Sequence, residues 1–564
     1  MSSETRPLIG RSPSENYTND SHFIDSEAEV EANMTQPTRA IEDDVIPETA
    51  AVGRQLNWQD TYILIISRVF GSGIFATPGT IVRAVGSPGL ALILWIVGAL
   101  IAACGLAVTL EFGTMLPRSG GDKVYLEFTY RWPRFLTSTL VGVYVVFLGF
   151  TASNAVIFSS YTLFAFGYDE AGEVLRRSVA VGLLTVVVLV HAVLPSWGVR
   201  IQNTLGWIKI GIISFMILSS LYVVMFGSSD MMAGSMKGIG SAGIEPQVLY
   251  VQPLHIPLQQ QSMSFMTGLF EGSVWNWSPI STSLFKVFYS YSGLETANNV
   301  VNEIKNPIRT LKSATTAALI TCCLLYLLTN VAYFIIVPMN EIKESGEMIA
   351  ALFFERVFGV TLGRRILPLV IALSAGGNVM VVAFSMARIK QEIARQGLFP
   401  YGEFLSSTRP FHSPLGALII HWLPSVLAIA TPPSEHVYDL VLEVEGYPAQ
   451  MFAMAVASGL IILRYRRPDL KRPFKAWLPG VYLRILLSLV LISAPFFPPE
   501  QRFKDGIWYA TYAVVSMGIL LMGVLYWFSW AIVLPWLHGY QLQETTKILR
   551  DGTSITKIVH VKAD

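Results

Sequence analysis

Charged residues are scarce in this chain. Only 14% of its 564 residues are Asp, Glu, Lys or Arg, whereas about a quarter of the residues in a soluble protein are charged. The 40 Lys and Arg residues nearly balance the 39 Asp and Glu residues, so no nucleic-acid partner is indicated. Because 52% of the residues are hydrophobic and the mean hydropathy is +0.50, the composition indicates an all-α protein that crosses a membrane several times.

Cysteine is also rare. Cys104, Cys322 and Cys323 all lie in apolar runs, which argues against a disulfide framework or a cysteine-based metal cluster. The sequence contains no glycine-rich phosphate loop, no metal-spaced set of His and Cys, and no nucleophile elbow. An enzyme and a nucleotide-driven pump are therefore not indicated, and neither a cofactor nor a metal is expected.

The first 55 residues contain no lysine and carry acidic patches at 26–31 and 42–44. This composition predicts a disordered tail. We interpret the tail either as an inert solvated segment or as a docking site for a regulatory adaptor, such as a ubiquitin-ligase adaptor. No cleavable signal peptide is expected, because the chain begins with polar and acidic residues.

Apolar runs that could cross a hydrocarbon core of about 30 Å recur along the chain, and we predict twelve spans. Lys and Arg are concentrated in the connections that follow even-numbered spans, most densely in RYRRPDLKRPFK at 464–475. The positive-inside bias therefore predicts that both termini are cytoplasmic. Numbered in chain order, the spans are predicted near 58–84, 88–115, 135–165, 174–194, 199–226, 280–303, 310–337, 362–394, 414–431, 437–464, 479–498 and 507–536.

Spans 1 and 6 contain residues that a simple membrane-crossing helix avoids. FGSGIFATPG at 70–79 places glycines and a serine within span 1, and FYSYSGLETANN at 288–299 does the same in span 6. Each interior Gly costs a helix about 1 kcal/mol relative to Ala. Broken spans at matching positions of two halves are typical of transporters with inverted repeats. Gly-based kinks or close helix contacts are the alternative interpretation.

This pattern predicts a domain organisation with two repeats of five spans, in which spans 11 and 12 are appended. The predicted units are an acidic cytoplasmic tail (1–55), the first repeat (56–226), an extracellular loop (227–279), the second repeat (280–466), spans 11 and 12 (467–537) and a cytoplasmic C-terminal tail (538–564).

Two breaks at half depth would expose backbone groups of opposite polarity. Unwinding at Gly71–Gly73 leaves N–H groups at the start of the second half of span 1, which suits a carboxylate. The end of the first half-helix and the carbonyls around Tyr291 suit an ammonium group. A zwitterion fits both poles, so an α-amino acid is the predicted ligand.

Five stretches of the chain resemble signatures of the amino acid–polyamine–organocation (APC) superfamily in the correct order. They are FGSGIFATPG (70–79), LEFGTMLPRSGGDKVYL (110–126), YSYSGLETANNVVNEIKNP (289–307), FSMARIKQEIARQGLFP (384–400) and LRYRRPDLKRPFKAWLPG (463–480). The pattern is similar to the L-type amino acid transporter branch, especially the fungal high-affinity methionine permeases. The resemblance implies a leucine-transporter-like fold.

The resemblance also implies a substrate site at the two breaks. Gly71, Ser72 and Gly73 would bind the carboxylate, and the carbonyls of Val69, Phe70, Tyr289 and Ser290 would bind the ammonium group. Tyr289 occupies the position of the family's aromatic gate. Leu294 and Glu295 depart from residues common in the L-type branch. The remaining predicted lining residues are Tyr291 and Gly293.

Ionisable residues within predicted spans are candidates for ion coupling. Lys209 lies where, by resemblance, sodium-coupled relatives bind a cation between spans 1 and 8, and a buried lysine can also exchange a proton. Glu295 is a second candidate proton carrier. Glu111 is expected to belong to a cytoplasmic gate, with a proton carrier as the alternative. Arg68 should need a partner, and its role is left open.

These features predict a plasma-membrane permease for a neutral amino acid, with methionine as the leading substrate and protons as the coupling ion. An amino acid exchanger and a transporter-like nutrient sensor are the alternatives. Exchangers of the L-type branch pair with a heavy chain through a cysteine between spans 3 and 4. The loop GYDEAGEVLRR (167–177) has no cysteine, so no covalent heavy chain is expected.

Overall fold

The computed structural model describes residues 56–71, 73–168, 171–226, 268–346, 348–407, 413–431, 437–498, 503–504, 507–548 and 554–562. The predicted N-terminal tail, most of the predicted outer loop and Ser72 lie outside these ranges.

All twelve predicted spans coincide with helical segments. Span 1 comprises Trp58–Val69 and Gly73–Val85, span 3 comprises Leu136–Phe147 and Ala152–Ala165, and span 6 comprises Trp277–Tyr291 and the 3-10 helix Leu294–Glu303. The others are Pro88–Met115 (span 2), Glu173–Val193 (span 4), Pro195–Phe226 (span 5), Pro307–Ile336 (span 7), Leu367–Arg395 (span 8), Leu415–Ala430 (span 9), Val437–Arg466 (span 10), Leu478–Ile492 (span 11) and Thr511–Phe528 (span 12).

Within the described residues, 10 helices are long and apolar enough to cross a membrane. The two remaining spans have local reasons to fall short. Span 9 has 16 residues, or about 24 Å at the usual rise of an α-helix. Span 6 is divided at Ser292–Gly293, where Gly293 has a φ of +110° that favours glycine. The predicted all-α membrane fold is therefore confirmed.

Short helices and turns connect the spans. They are Asp122–Thr129, Met339–Ser345, Ile349–Gly359, Gly402–Ser406, Leu534–His538, the 3-10 turn Ala494–Phe496 and the π-helical turns Val360–Ile366 and Ser529–Val533.

Span 3 has a break that the sequence analysis missed. Residues 148–151 separate its two helices, where we had predicted one continuous span at 135–165. The only glycine in these four residues is Gly149, and a single glycine is common in membrane helices. The second half of span 3 packs against span 8 and reaches spans 1 and 6 through hydrogen bonds of Tyr161, Ser153 and Asn154.

The halves of spans 1 and 6 pack against each other. The second half of span 1 lies against the first half of span 6, and the first half of span 1 lies against the 3-10 helix of span 6. A parallel bridge joins Leu56 to Ile304, and Lys305 donates its N–H to the Leu56 carbonyl at 2.9 Å. Around this pair, span 8 packs against the second half of span 3, and span 4 packs against span 9.

The predicted C-terminal tail contains a β-hairpin. Strands β3 (Tyr540–Ile548) and β4 (Ser554–Lys562) are antiparallel, and a smaller hairpin joins β1 (Phe503–Lys504) to β2 (Ile507–Trp508). The Ile558 N–H donates to the Gln396 carbonyl at 3.0 Å. Leu542 and Ile558 form an apolar cluster with Ile393 and Leu398, so the hairpin is docked at the end of span 8.

Candidate functional site

The break in span 1 leaves backbone carbonyls without helical partners, and Pro78 removes the N–H that would pair with Ile74. Side chains of spans 1, 3, 5, 7 and 8 donate to these and neighbouring carbonyls. The pairs are Lys209 with Ser67 (3.0 Å), Asn378 with Arg68 (2.9 Å), Tyr326 with Val69 (3.2 Å), Thr77 with Gly73 (2.7 Å), Tyr333 with Ile74 (3.3 Å) and Tyr161 with Phe75 (2.9 Å).

Tyr326 of span 7 joins the two broken spans. Its hydroxyl lies 3.2 Å from the Val69 carbonyl and 2.7 Å from the Ser290 carbonyl. The ring is fully buried and packs near the rings of Phe70, Trp95 and Tyr291. Because the hydroxyl carries one hydrogen, the two carbonyls share a single donor. Both therefore keep acceptor capacity for an ammonium group, in line with their predicted role.

A small cavity of about 20 Å³ lies at the break in span 1. Four predicted site residues line it: Val69, Gly71, Gly73 and Tyr289. Arg68, Glu445 and Asn378 add two charged groups and an amide. A volume of this size holds about one water molecule, so the structure has this part of the site closed.

Tyr289 closes the cavity against span 3. Its hydroxyl lies 2.8 Å from the Ser153 hydroxyl and accepts a hydrogen bond from the Asn154 amide, also at 2.8 Å. The Asn154 amide is also 3.3 Å from Asn378 Oδ1. The sequence predicts Tyr289 as a gate, but no sequence pattern indicates its partners Ser153, Asn154 and Asn378. These contacts link span 6 to spans 3 and 8 across the cavity.

The glycines at the breaks allow close approach of neighbouring groups. A Cβ added at Gly73 would lie 2.5 Å from Ser290 Oγ and 3.0 Å from its Cα, and one at Gly71 would lie 2.8 Å from Asn378 Nδ2. A Cβ added at Gly293 would lie 2.5 Å from Arg68 Cγ. Spans 1 and 6 therefore meet at distances that only glycine permits.

Arg68 is hydrogen-bonded to the side-chain amide of Asn378. Its guanidinium donates to Asn378 Oδ1 at 3.4 Å, and its stem packs over Gly293. Among the described residues it forms no ion pair within 4 Å, although Glu445 lines the same cavity. The guanidinium and this carboxylate thus face a shared space.

A larger cavity of about 250 Å³ adjoins the small one and shares Tyr289, Ser292 and Glu445 with it. The predicted residues Tyr291, Leu294 and Glu295 line it. Its wall is mainly apolar and aromatic, and its charged residues are Asp122, Glu295, Glu445 and Arg484. Arg484, which no sequence pattern indicates, donates to Gln450 and Ser488, both at 2.8 Å.

Asp122 lies between spans 2 and 3, at the end of the larger cavity. Burial and, to a smaller extent, the charge of Glu295 raise the pKa of its carboxyl to about 7, and Arg484 opposes both effects. This group was also missed, because its neighbours Glu295 and Arg484 are distant in sequence.

The remaining predicted residues lie outside the two cavities. Ser290 directs its hydroxyl to the Lys286 carbonyl and to Thr77, and Phe70 is buried beside Tyr326. Lys209 is fully buried and contacts span 1. Among the described residues it makes no hydrogen bond to span 8, where Asn378 instead binds the next carbonyl.

Glu111 ties span 2 to the connection between spans 10 and 11. Its buried carboxylate accepts hydrogen bonds from Arg464, at 2.9 Å from Nε and closer from the second nitrogen, and from the Ala476 N–H at 2.7 Å. Arg472 lies 3.5 Å away. This ion pair is at the end of span 2 where the predicted gate was placed, and its gating role stays a prediction.

Comparisons with known proteins agree with this architecture. A sequence profile described as amino acid permease matches residues 56–525. The chain belongs to the amino acid permease family. This confirms the resemblance to the APC superfamily, and it makes the protein a membrane transporter rather than an enzyme.

Two similar proteins come from Saccharomyces cerevisiae. The high-affinity methionine permease is 33% identical over 512 residues, which cover 89% of this chain and 83% of the relative. The low-affinity methionine permease is 31% identical over 509 residues, which cover 90% of this chain and 88% of the relative. The cystine/glutamate transporter of Homo sapiens is 27% identical over 443 residues, or 77% of this chain and 79% of the relative.

The contact between Gly73 and Ser290 generates a first prediction. Replacing Gly73 with Val should lower amino acid uptake by this permease at least about 100-fold, because separating spans 1 and 6 misplaces the binding groups. Surface expression should stay normal, which is measured by labelling the protein on intact cells. Gly182→Val is the control, since nothing lies within 4 Å of a Cβ at Gly182. Native uptake by Gly73→Val would remove the site assignment, and Gly73→Ala serves if the larger residue prevents folding.

The contacts of Tyr289 generate a second prediction. Tyr289→Phe removes two hydrogen bonds that close the site, so the apparent affinity for substrate should fall roughly fivefold. Ser153→Ala should have part of this effect, and the double variant should show less than the sum. The measurement is the concentration dependence of uptake. Tyr447→Phe is the control, because its hydroxyl donates to Ile492 and lines neither cavity. If the effects of Tyr289→Phe and Ser153→Ala were additive, the two hydroxyl groups would not act through their shared hydrogen bond.

Proposed function

We propose that this permease imports a neutral amino acid, with methionine as the leading substrate, across the plasma membrane by proton symport. The observation that carries the proposal is the meeting of two broken spans at one cavity. Gly71 and Gly73 line the cavity where the second half of span 1 begins, and the carbonyls of Val69 and Ser290 converge beside it. A zwitterion placed here would have its carboxylate at the helix start and its ammonium group at the carbonyls.

The larger cavity suits a substrate with a flexible, apolar side chain. Its wall includes Tyr289, Tyr291, Leu294, Leu442 and Phe452. A thioether is polarisable, adapts to irregular apolar space and interacts favourably with aromatic rings. Both yeast relatives are methionine permeases by name, which supports methionine over smaller neutral amino acids.

Lys209 and Glu295 are the proposed coupling residues. The Lys209 ammonium group caps the Ser67 carbonyl at the end of the first half of span 1, where a cation is favoured. Losing its proton would remove that positive charge from a half-helix expected to move. Glu295 lines the larger cavity with Asp122 and Arg484, which places its carboxyl group beside the proposed substrate site.

Alternating access would follow from the two repeats, 56–226 and 280–466. In this proposal spans 1 and 6 rock as a bundle against a scaffold of spans 3, 4, 8 and 9. The contacts of Tyr289 with span 3 would form and break during the cycle. Both termini would be cytoplasmic, and the N-terminal tail would be available to a regulatory adaptor.

Uptake of labelled methionine by a transport-deficient host tests the proposal. The assay compares about pH 5 with about pH 7.5, with and without a protonophore. We expect accumulation that is higher at acid pH and collapses with the protonophore. Uptake that ignores the proton gradient but responds to preloaded amino acids would replace symport with exchange. Stabilisation of the purified protein by methionine without uptake would indicate a nutrient sensor.

Lys209→Gln tests the coupling residue. Accumulation against a gradient should be lost, whereas exchange of external for internal methionine should persist, because exchange needs no net proton movement. Lys312→Gln is the control, since Lys312 is a half-buried residue that donates to the Pro473 carbonyl and lines neither cavity. Native accumulation by Lys209→Gln would contradict a coupling role for this lysine.

A further inference from the structure

A second buried lysine lies at the break in span 3. Lys390 of span 8 is 2% exposed and His421 of span 9 is fully buried. The Lys390 ammonium nitrogen is 3.3 Å from His421 Nδ1 and 3.3 Å from the Gly149 carbonyl. His421 Nδ1 is itself 3.1 Å from the Gly149 carbonyl. Two basic side chains therefore converge on one backbone oxygen inside the protein.

This arrangement limits how many protons the two side chains hold. Two positive charges at hydrogen-bond distance repel strongly in a buried site, and burial disfavours each charge. Among the described residues, no carboxylate lies within 4 Å of Lys390 to compensate a second charge. The Gly149 carbonyl follows the first helix of span 3, and the C-terminal end of a helix stabilises a single cation.

Among the described residues, no surrounding group forms an ion pair with Lys390 or His421. The positive charges acting on the His421 ring are those of Lys390 and Arg68. Other titratable groups on the packed elements include Tyr144 of span 3, His191 of span 4, Arg388 of span 8 and Glu445 of span 10. His191 binds the Met380 carbonyl at 3.1 Å, and Glu445 lies at the small cavity.

The cluster is connected to the substrate site through Thr151. His421 Nε2 lies 3.3 Å from Thr151 Oγ1, and the Thr151 N–H donates to Ser425 at 3.3 Å. Thr151 also lines the small cavity and begins the helix that carries Ser153 and Asn154. These two residues hold the Tyr289 hydroxyl.

We propose that Lys390 and His421 form a binding site for one proton, and that its occupancy controls the span 3 break that holds Tyr289. With the proton bound, the Lys390 ammonium group donates to Gly149 and to Nδ1 of a neutral imidazole, whose Nε2–H donates to Thr151. When the proton leaves, Lys390 becomes a neutral amine, and His421 is free to carry its ring hydrogen on Nδ1 and donate to Gly149. Thr151 then loses its donor, which loosens the hold of span 3 on the gate. This inference rests on the proposed transport of an amino acid.

His421→Gln tests the site, because glutamine keeps hydrogen-bonding groups but does not titrate. We expect the pH dependence of methionine exchange, which needs no net proton movement, to flatten to within about twofold between about pH 5 and pH 8. Lys390→Gln should give the same result. His191→Gln is the matched control, since this histidine is equally buried but lies outside the cluster, and it should keep the native pH profile.

Native pH profiles in both His421→Gln and Lys390→Gln would overturn the proposal. His421→Asn replaces the glutamine variant if the latter does not fold. If uptake by the unaltered permease does not respond to the proton gradient, proton symport is wrong as the proposed function. The proton site is then tested by measuring the methionine affinity of the purified protein. There the affinity for methionine should change between about pH 5 and pH 8 and become flat in His421→Gln. A native affinity that is independent of pH would also overturn the proton site.

Discussion

The need to pair backbone groups inside a membrane protein governs this structure. Breaking span 1 at half depth releases carbonyls that neither lipid nor water satisfies, and each unpaired group costs several kcal/mol. Tyr161, Lys209, Tyr326, Tyr333 and Asn378 meet this need from four other spans. The donors divide into two groups with different consequences. Tyr326 and Tyr333 are on span 7, whereas the other three belong to spans 3, 5 and 8. If spans 1 and 6 rock against the proposed scaffold of spans 3, 4, 8 and 9, the bonds from Tyr161 and Asn378 must be exchanged, and their strength contributes to the balance between open and closed states.

Much of the fold follows from the sequence, because it depends on local composition. Apolar runs located all twelve spans, and the glycines of FGSG and YSG located the breaks in spans 1 and 6. The break in span 3 was missed because Gly149 alone resembles an ordinary membrane-helix glycine. The C-terminal hairpin was also missed, although Asp551–Gly552 between alternating segments is a recognised hairpin signal.

The site was predictable only in part, for a physical reason. Glycines at a break carry a local signal, so Gly71, Gly73 and Gly293 could be assigned to the breaks from the sequence. Tyr326 and Asn378 carry none, since the carbonyls they bind lie 257 and 310 residues away in sequence. Nothing in TCCLLYLLTN distinguishes its tyrosine from a packing residue. The sequence alone shows which backbone carbonyls at a break need hydrogen-bond partners, but it does not show which side chains provide them.

Arg68 explains why the two breaks act as one unit. Its carbonyl is held by Asn378, its stem fills the space over Gly293, and its guanidinium reaches Asn378 beside the cavity that Glu445 lines. A side chain at Gly293 would collide with this stem, so the glycine is required by the neighbouring arginine as well as by its own φ of +110°. Moving the first half of span 1 without span 6 would drive Arg68 away from Gly293 and leave a void at the center of the site. Arg68 therefore packs spans 1 and 6 into one unit at their breaks, and in the proposed rocking motion its charge would travel with both spans.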